Sequence, residues 1–119
     1  MKIKGYTLRG DYYLADKVIP NKNWKEAVKI KEVITLPNGK TVTSRTLSKA
    51  ELETIPQEQR KISENGHVWY WTSTPYSDDH TWYVHTNGDF HYVINVSDDY
   101  GGARLGFHKN EIKQLLNIE

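Results

Sequence analysis

Apolar and polar positions change their rhythm part-way along this chain. Up to about residue 65, apolar residues come in short groups between charged turns; from His67 they crowd into strand-like runs. Near the start, Thr7-Leu8-Arg9-Gly10-Asp11-Tyr12-Tyr13-Leu14 sets Gly-Asp turn chemistry between aromatic and aliphatic flanks, which predicts two short strands within residues 3–19. Asn23 then offers a helix N-cap. Trp24, Ala27, Val28 and Lys31 follow at three- and four-residue spacing, giving a short basic helix with one apolar stripe. Val33 to Thr43 reads as a β-hairpin, because β-branched flanks surround Asn38-Gly39, the favoured pair for a two-residue turn.

Ser48-Lys49-Ala50-Glu51 fits a capping box, in which the serine hydroxyl and the glutamate carboxylate each satisfy an orphan amide. The helix it opens carries Leu52 and Ile55 inward, and Pro56 ends or kinks it. Gln57 to Glu64 is polar, a further helical turn or two or a loop. Val68-Trp69-Tyr70-Trp71-Thr72 is a strand too apolar to be wet on both sides. Thr81–Thr86 and Asp89–Val96 flank a second Asn-Gly pair, Asn87-Gly88. A two-residue turn there sets Thr86 opposite Asp89 and Val84 opposite His91. Ala103–His108 predicts a last strand, and Glu111–Ile118 a terminal helix (about 110–118). Segregated strands and helices of this kind indicate a single α+β domain over 1–119.

Composition sharpens the picture in two places. Mean hydropathy is −0.74, yet 14 aromatic residues supply large buried surfaces, so a packed core is expected rather than disorder. Net charge is only +1, but it is unevenly placed. Residues 1–65 hold 13 Lys/Arg against 8 Asp/Glu, whereas 66–108 hold Arg104 alone against five aspartates. Nucleic-acid stacking surfaces need rings and cations together, and here they are separated, which argues against nucleic acid. No cysteine is present, which excludes disulfides, thiolate metal sites and thiol nucleophiles. The opening Met1-Lys2-Ile3-Lys4-Gly5-Tyr6 holds no apolar run of signal-peptide length, and no stretch is long and apolar enough to span a membrane. Cytoplasmic residence is therefore the expectation, with virion or surface placement the alternative.

Three segments, in order, resemble one family. They are Trp24-Lys25-Glu26-Ala27; then Arg45-Thr46-Leu47-Ser48-Lys49-Ala50-Glu51-Leu52; then Tyr70-Trp71-Thr72-Ser73-Thr74-Pro75-Tyr76-Ser77 with Thr81-Trp82-Tyr83-Val84 and Gly102-Ala103-Arg104. The set resembles the Fibrobacter major-paralogous-domain family, a C-type-lectin-like module, over roughly Asn23 to His108. Ser48 stands where that family carries proline, and the hairpin at about 33–43 is an insertion relative to its pattern. The resemblance implies a C-type-lectin-like fold of two helices and antiparallel sheets with a loop-rich upper face. It implies scaffold roles for Trp24, Leu52, Trp71 and Trp82. Arg104 is expected to pair with a buried carboxylate or carbonyl beneath the loops. In such folds the segments between the sheet strands form the binding face, here Tyr76–His80 and Val96–Gly102. Tyr76, Asp78, Asp79, His80, Asp98, Asp99 and Tyr100 are therefore the candidate contacts.

The chemistry open to these residues is limited. Four loop aspartates are oxygen donors for calcium, but lectin calcium signatures are missing and paired aspartates are ordinary turn residues. His85 and His91 are expected on opposite faces of the hairpin, so they do not share a metal. Ser73 and Ser77 lack a nucleophile elbow, and Gly101-Gly102 has no adjoining phosphate-binding lysine. These readings point to a non-enzyme without metal or cofactor. Its loop surface binds a protein or glycan partner. Two alternatives stay open: an intracellular, phage-encoded inhibitor that sequesters a host factor or nucleotide-like small molecule, and a virion receptor-binding component. Oligomeric state is open.

Overall fold

The computed structural model describes residues 2–62, 69–99 and 101–116, with the backbone alone for 113–116. In chain order the elements are β1 (Tyr6–Arg9), β2 (Tyr12–Ala15), β3 (Ile19–Lys22), α1 (Trp24–Lys29), β4 (Lys31–Thr35), β5 (Thr41–Thr46), α2 (Lys49–Glu53), α3 (Gln57–Arg60), β6 (Tyr70–Pro75), β7 (Thr81–Val84), β8 (Phe90–His91), β9 (Gly101–Ala103), β10 (Leu105–His108) and α4 (Lys109–Leu116). They build two five-stranded sheets. The first has the order β1-β2-β10-β5-β4, the second β3-β9-β6-β7-β8. This is an α+β architecture with short helices.

Alternation explains how the layers meet. Tyr12, Tyr13 and Leu14 are all buried, so β2 is covered on both faces of its sheet. Tyr13 joins Phe107, Val42, Leu36 and Ile112 of α4 in one cluster, and its ring stacks on Phe107 at 5.2 Å. Tyr12 and Leu14 join Leu47, Leu52, Ile55, Tyr70 and Val84, which bind the first sheet to the second through α2. A third cluster, Ala27, Trp71, Tyr83 and Ala103, lies where α1 packs on the second sheet.

Several expectations are corrected. Among the described residues there are four short helices, where the resemblance implied two and the residue pattern three with a further turn left open after Pro56. The second sheet is mixed, since β6 pairs with β9 in parallel while its other ladders are antiparallel. The first helix stops at Lys29, because Lys31 is taken into β4 opposite Arg45. The hairpin at 33–43 is not an appendage: β5 runs on to Thr46 and lies inside the first sheet, beside β10. Strand β3 carries Pro20 and exposed positions, so no periodic signal marked it. The final strand is two, β9 and β10, separated at Arg104. Helix α4 begins at Lys109; the expected ends at Glu64, Val68 and Ile118 lie outside the described residues.

Both Asn-Gly hairpins differ from the two-residue reading in the same way. Leu36 donates its amide to Lys40 O, and His85 to Asp89 O, so each loop holds three residues. Gly39 and Gly88 both have φ of +85°, while neither asparagine has positive φ. A two-residue type I′ turn needs positive φ at both central positions; these are turns closed by a glycine bulge. The extra residue shifts each register by one. Tyr83 therefore pairs with His91, and Val84 with Phe90.

Both expected caps are formed. Asn23 and Glu26 close a capping box on α1, and Ser48 and Glu51 close one on α2. Glu51 also takes a bidentate contact from Arg45, at 2.9 and 2.8 Å. That pair, more than the cap itself, pulls the Glu51 carboxyl down to about 2. Its contribution to stability is complete above the ordinary carboxylate value and disappears as pH falls through about 2. The side chains are 42% and 24% exposed, so solvent screening leaves about 1–2 kcal/mol of this. Urea unfolding of Glu51→Gln is expected to lose that amount at pH 6 and to match wild type at pH 2. An equal deficit at both pH values would assign the loss to packing instead.

Candidate functional site

The loop after β6 is closed by its own backbone. Tyr76 and Ser77 both donate their amides to His80 O, at 2.9 and 3.0 Å. Asp79 Oδ1 accepts from Ser77 Oγ at 3.0 Å and from His80 Nδ1 at 2.7 Å, and these bonds hold its carboxyl below the ordinary range. Serine, histidine and aspartate are thus adjacent, but in the wrong order for nucleophilic catalysis. A triad needs the serine to donate to the imidazole, whereas here both donate to the carboxylate. The bonds fix the turn.

The second loop meets the first. His80 forms an isolated bridge with Asn95, and Val96 donates its amide to Asp79 O at 2.9 Å. Val96 O in turn accepts from Trp24 N at the start of α1. Asn95 Oδ1 accepts from Ser97 N and Ser97 Oγ, shaping the turn that leads to Asp98 and Asp99. The structure therefore brings Asp79 and His80 beside the 95–97 turn. Asp78 and Asp99 are exposed. Tyr100 lies outside the described residues. Among the described residues no group of three His, Asp or Glu side chains converges as a metal site would require.

The histidine pair corrects an expectation. With the three-residue loop, His85 and His91 share a face, and their rings stack at 4.6 Å with 21° between planes. Ring-nitrogen lone pairs lie in the ring planes, and near-parallel planes do not converge on one ion. Both rings lie beside Tyr83, which continues through Trp69 to Trp71.

No family model, curated protein or solved structure matches this chain. What the site can do is therefore read from its own residues. The same one-residue shift that joins the histidines sets Tyr92 opposite Trp82. Tyr76 and Tyr92 stack face to face at 4.0 Å and 17°, and Trp82 meets each edge-on, at 5.4 and 5.1 Å. Tyr76 is 51% exposed and Tyr92 41%, with Val93 beside them at 68%. Trp82, for which the resemblance implied a scaffold role, is half-buried, and Lys49 Nζ lies 4.7 Å from its ring centre. Trp71 and Leu52 do occupy the core, and Trp24 is half-buried with its indole donating to Thr72 O. Tyr92 was not among the candidate contacts, because those were taken from the segments between strands and Tyr92 lies in the Asp89–Val96 run.

Among the described residues no helix is long and apolar enough to cross a membrane.

Proposed function

We propose that this chain is a non-catalytic recognition module of C-type-lectin-like organisation. Its contact surface is the Tyr76–Trp82–Tyr92 cluster with the adjoining Asp78–His80 turn, and it takes a protein or glycan partner. One observation carries the proposal: two large aromatic side chains stand stacked against each other in the open rather than folded into a core. Exposing such rings in a cluster forgoes several kcal/mol of burial, and such patches mark contact surfaces. Tyrosine gives a large amphipathic contact at low entropy cost, and stacking against a neighbour fixes its rotamer before a partner arrives. The lectin-like reading draws support from the sequence motifs and from the pairing of the N-terminal hairpin with β10, which closes a sheet beneath the loops.

The test uses tagged wild type and the Tyr76→Ser/Tyr92→Ser variant, compared by native mass spectrometry after recovery from cells and by glycan array. A bound species or array signal is expected for wild type. It should weaken by at least about 30-fold in the variant, as losing a central interface tyrosine does. Equal binding by both proteins would move the contact surface elsewhere.

A further inference from the structure

Resting on that recognition reading, we propose that the partner is a protein that meets the Tyr76–Trp82–Tyr92 surface with an arginine- or lysine-bearing segment. Charge and ring geometry point the same way. An aromatic face carries a negative quadrupole, and Tyr76 and Tyr92 are both exposed. Close by in sequence stand Asp78 and Asp79, both exposed; Asp79 is held by His80 Nδ1 at 2.7 Å, and Asp78 forms no ion pair among the described residues. Between residues 66 and 108 the single Lys/Arg is Arg104, which is 2% exposed and bonded inside the fold. The nearest described cation is Lys49. It covers Trp82 rather than the tyrosines, and its charge is paired with Glu53 at 2.6 Å.

One ring of the cluster already carries a cation: Lys49 lies over Trp82 and over the neighbouring Phe90, and Arg60 lies 4.5 Å from the Phe90 ring centre. A partner cation on the tyrosines would repeat that contact beside the exposed Asp78. The acidic turn repels nucleic acid and anionic lipid, and a neutral glycan gains no charge pairing from it. The Debye length is about 8 Å at physiological salt, so charges this close to the rings act on a docked group with little screening.

A random dodecapeptide library displayed on phage tests this. Selection on wild-type protein is followed by counter-selection on Tyr76→Ala/Tyr92→Ala, with thermal melts checking that both proteins are folded. Peptides rich in arginine or lysine are expected, and they should fail to bind the double variant. Replacing the anchoring arginine by alanine should weaken binding by about 2- to 30-fold. Asp78→Asn, which leaves the bonds of the turn intact, should weaken it further and flatten its salt dependence. Peptides without arginine or lysine that are lost on the tyrosine variant would overturn the cationic partner and leave the recognition surface standing. Basic peptides that bind the variant as well as wild type would overturn the proposal by placing the cation elsewhere. Failure to select any peptide that distinguishes the two proteins would overturn both readings.

Discussion

Replacing Arg104 by alanine is expected to lower stability by about 3–5 kcal/mol and the melting temperature by roughly 10–20 °C. The residue joins β9 to β10 and is 2% exposed. Its Nε donates to Ala15 O at 2.8 Å, and its Nη1 donates to Arg60 O at 2.8 Å and to Tyr70 Oη at 3.1 Å. Tyr70 donates to the same Arg60 carbonyl at 2.6 Å. Carbonyls, rather than a carboxylate, thus hold the guanidinium. Burial weakens its hold on the proton, and by the same physics makes its bonds strong. Removing it takes a buried donor from Ala15 O and Tyr70 Oη, while Tyr70 keeps the Arg60 carbonyl paired. Arg104→Met refills the volume and should recover only the packing share. Arg104→Lys lacks the planar fork and should remain well below wild type. Tyr70→Phe should cost about 1–3 kcal/mol alone, and more in the Arg104→Ala background, where Tyr70 is the donor left to Arg60 O. Urea and thermal unfolding measure all five variants. A loss under about 0.5 kcal/mol for Arg104→Ala would mean the network is not formed.

Trp71→Ala should cost about as much, roughly 3–5 kcal/mol. The indole is fully buried, meets Trp69 edge-on at 4.8 Å, and donates through Nε1 to Lys22 O at 2.9 Å. It also explains Gly101. A Cβ at that position would overlap Trp71 Nε1 and lie 2.6 Å from the Trp69 ring. Gly101→Ala alone is therefore expected to destabilise by about 1–3 kcal/mol through overpacking. In the Trp71→Ala background the same methyl no longer meets the Trp71 indole and is opposed by Trp69 alone, so its cost should fall. Additive costs in the double variant would show that the two positions do not share that space. Trp71→Phe keeps most of the volume but leaves the Lys22 carbonyl without its donor, and should lose about 1–2 kcal/mol.

Local chemistry was the most legible part of the sequence. Asn23 and Ser48 announced both capped helices, because a cap is settled by residues three apart. Leu52 and Ile55 were placed inward by spacing alone. Arg104, read beside the resemblance as an arginine paired beneath the loops, is buried. Strand pairing was less legible. The parallel β6–β9 contact joins residues about thirty apart and leaves no periodic mark. An Asn-Gly pair serves either a two-residue turn or a three-residue loop with a bulge, and composition does not choose between them. That single ambiguity turned His91 to the wrong face. The Tyr76–Trp82–Tyr92 contact was hard to read for a related reason: a motif carries residue types, while exposure depends on the neighbours that the fold supplies.

The sheet orders carry a consequence for how the molecule comes into being. Strand β10 lies between β2 and β5, and β9 lies between β3 and β6. Each sheet is therefore in two pieces until the last of its strands in chain order joins it, and both of those strands belong to residues 101–108. Until that segment is available the hairpins have nothing to join them, and their aromatic surfaces stay wet. Folding then closes two sheets in one long-range event, of the kind that is slow and open to aggregation.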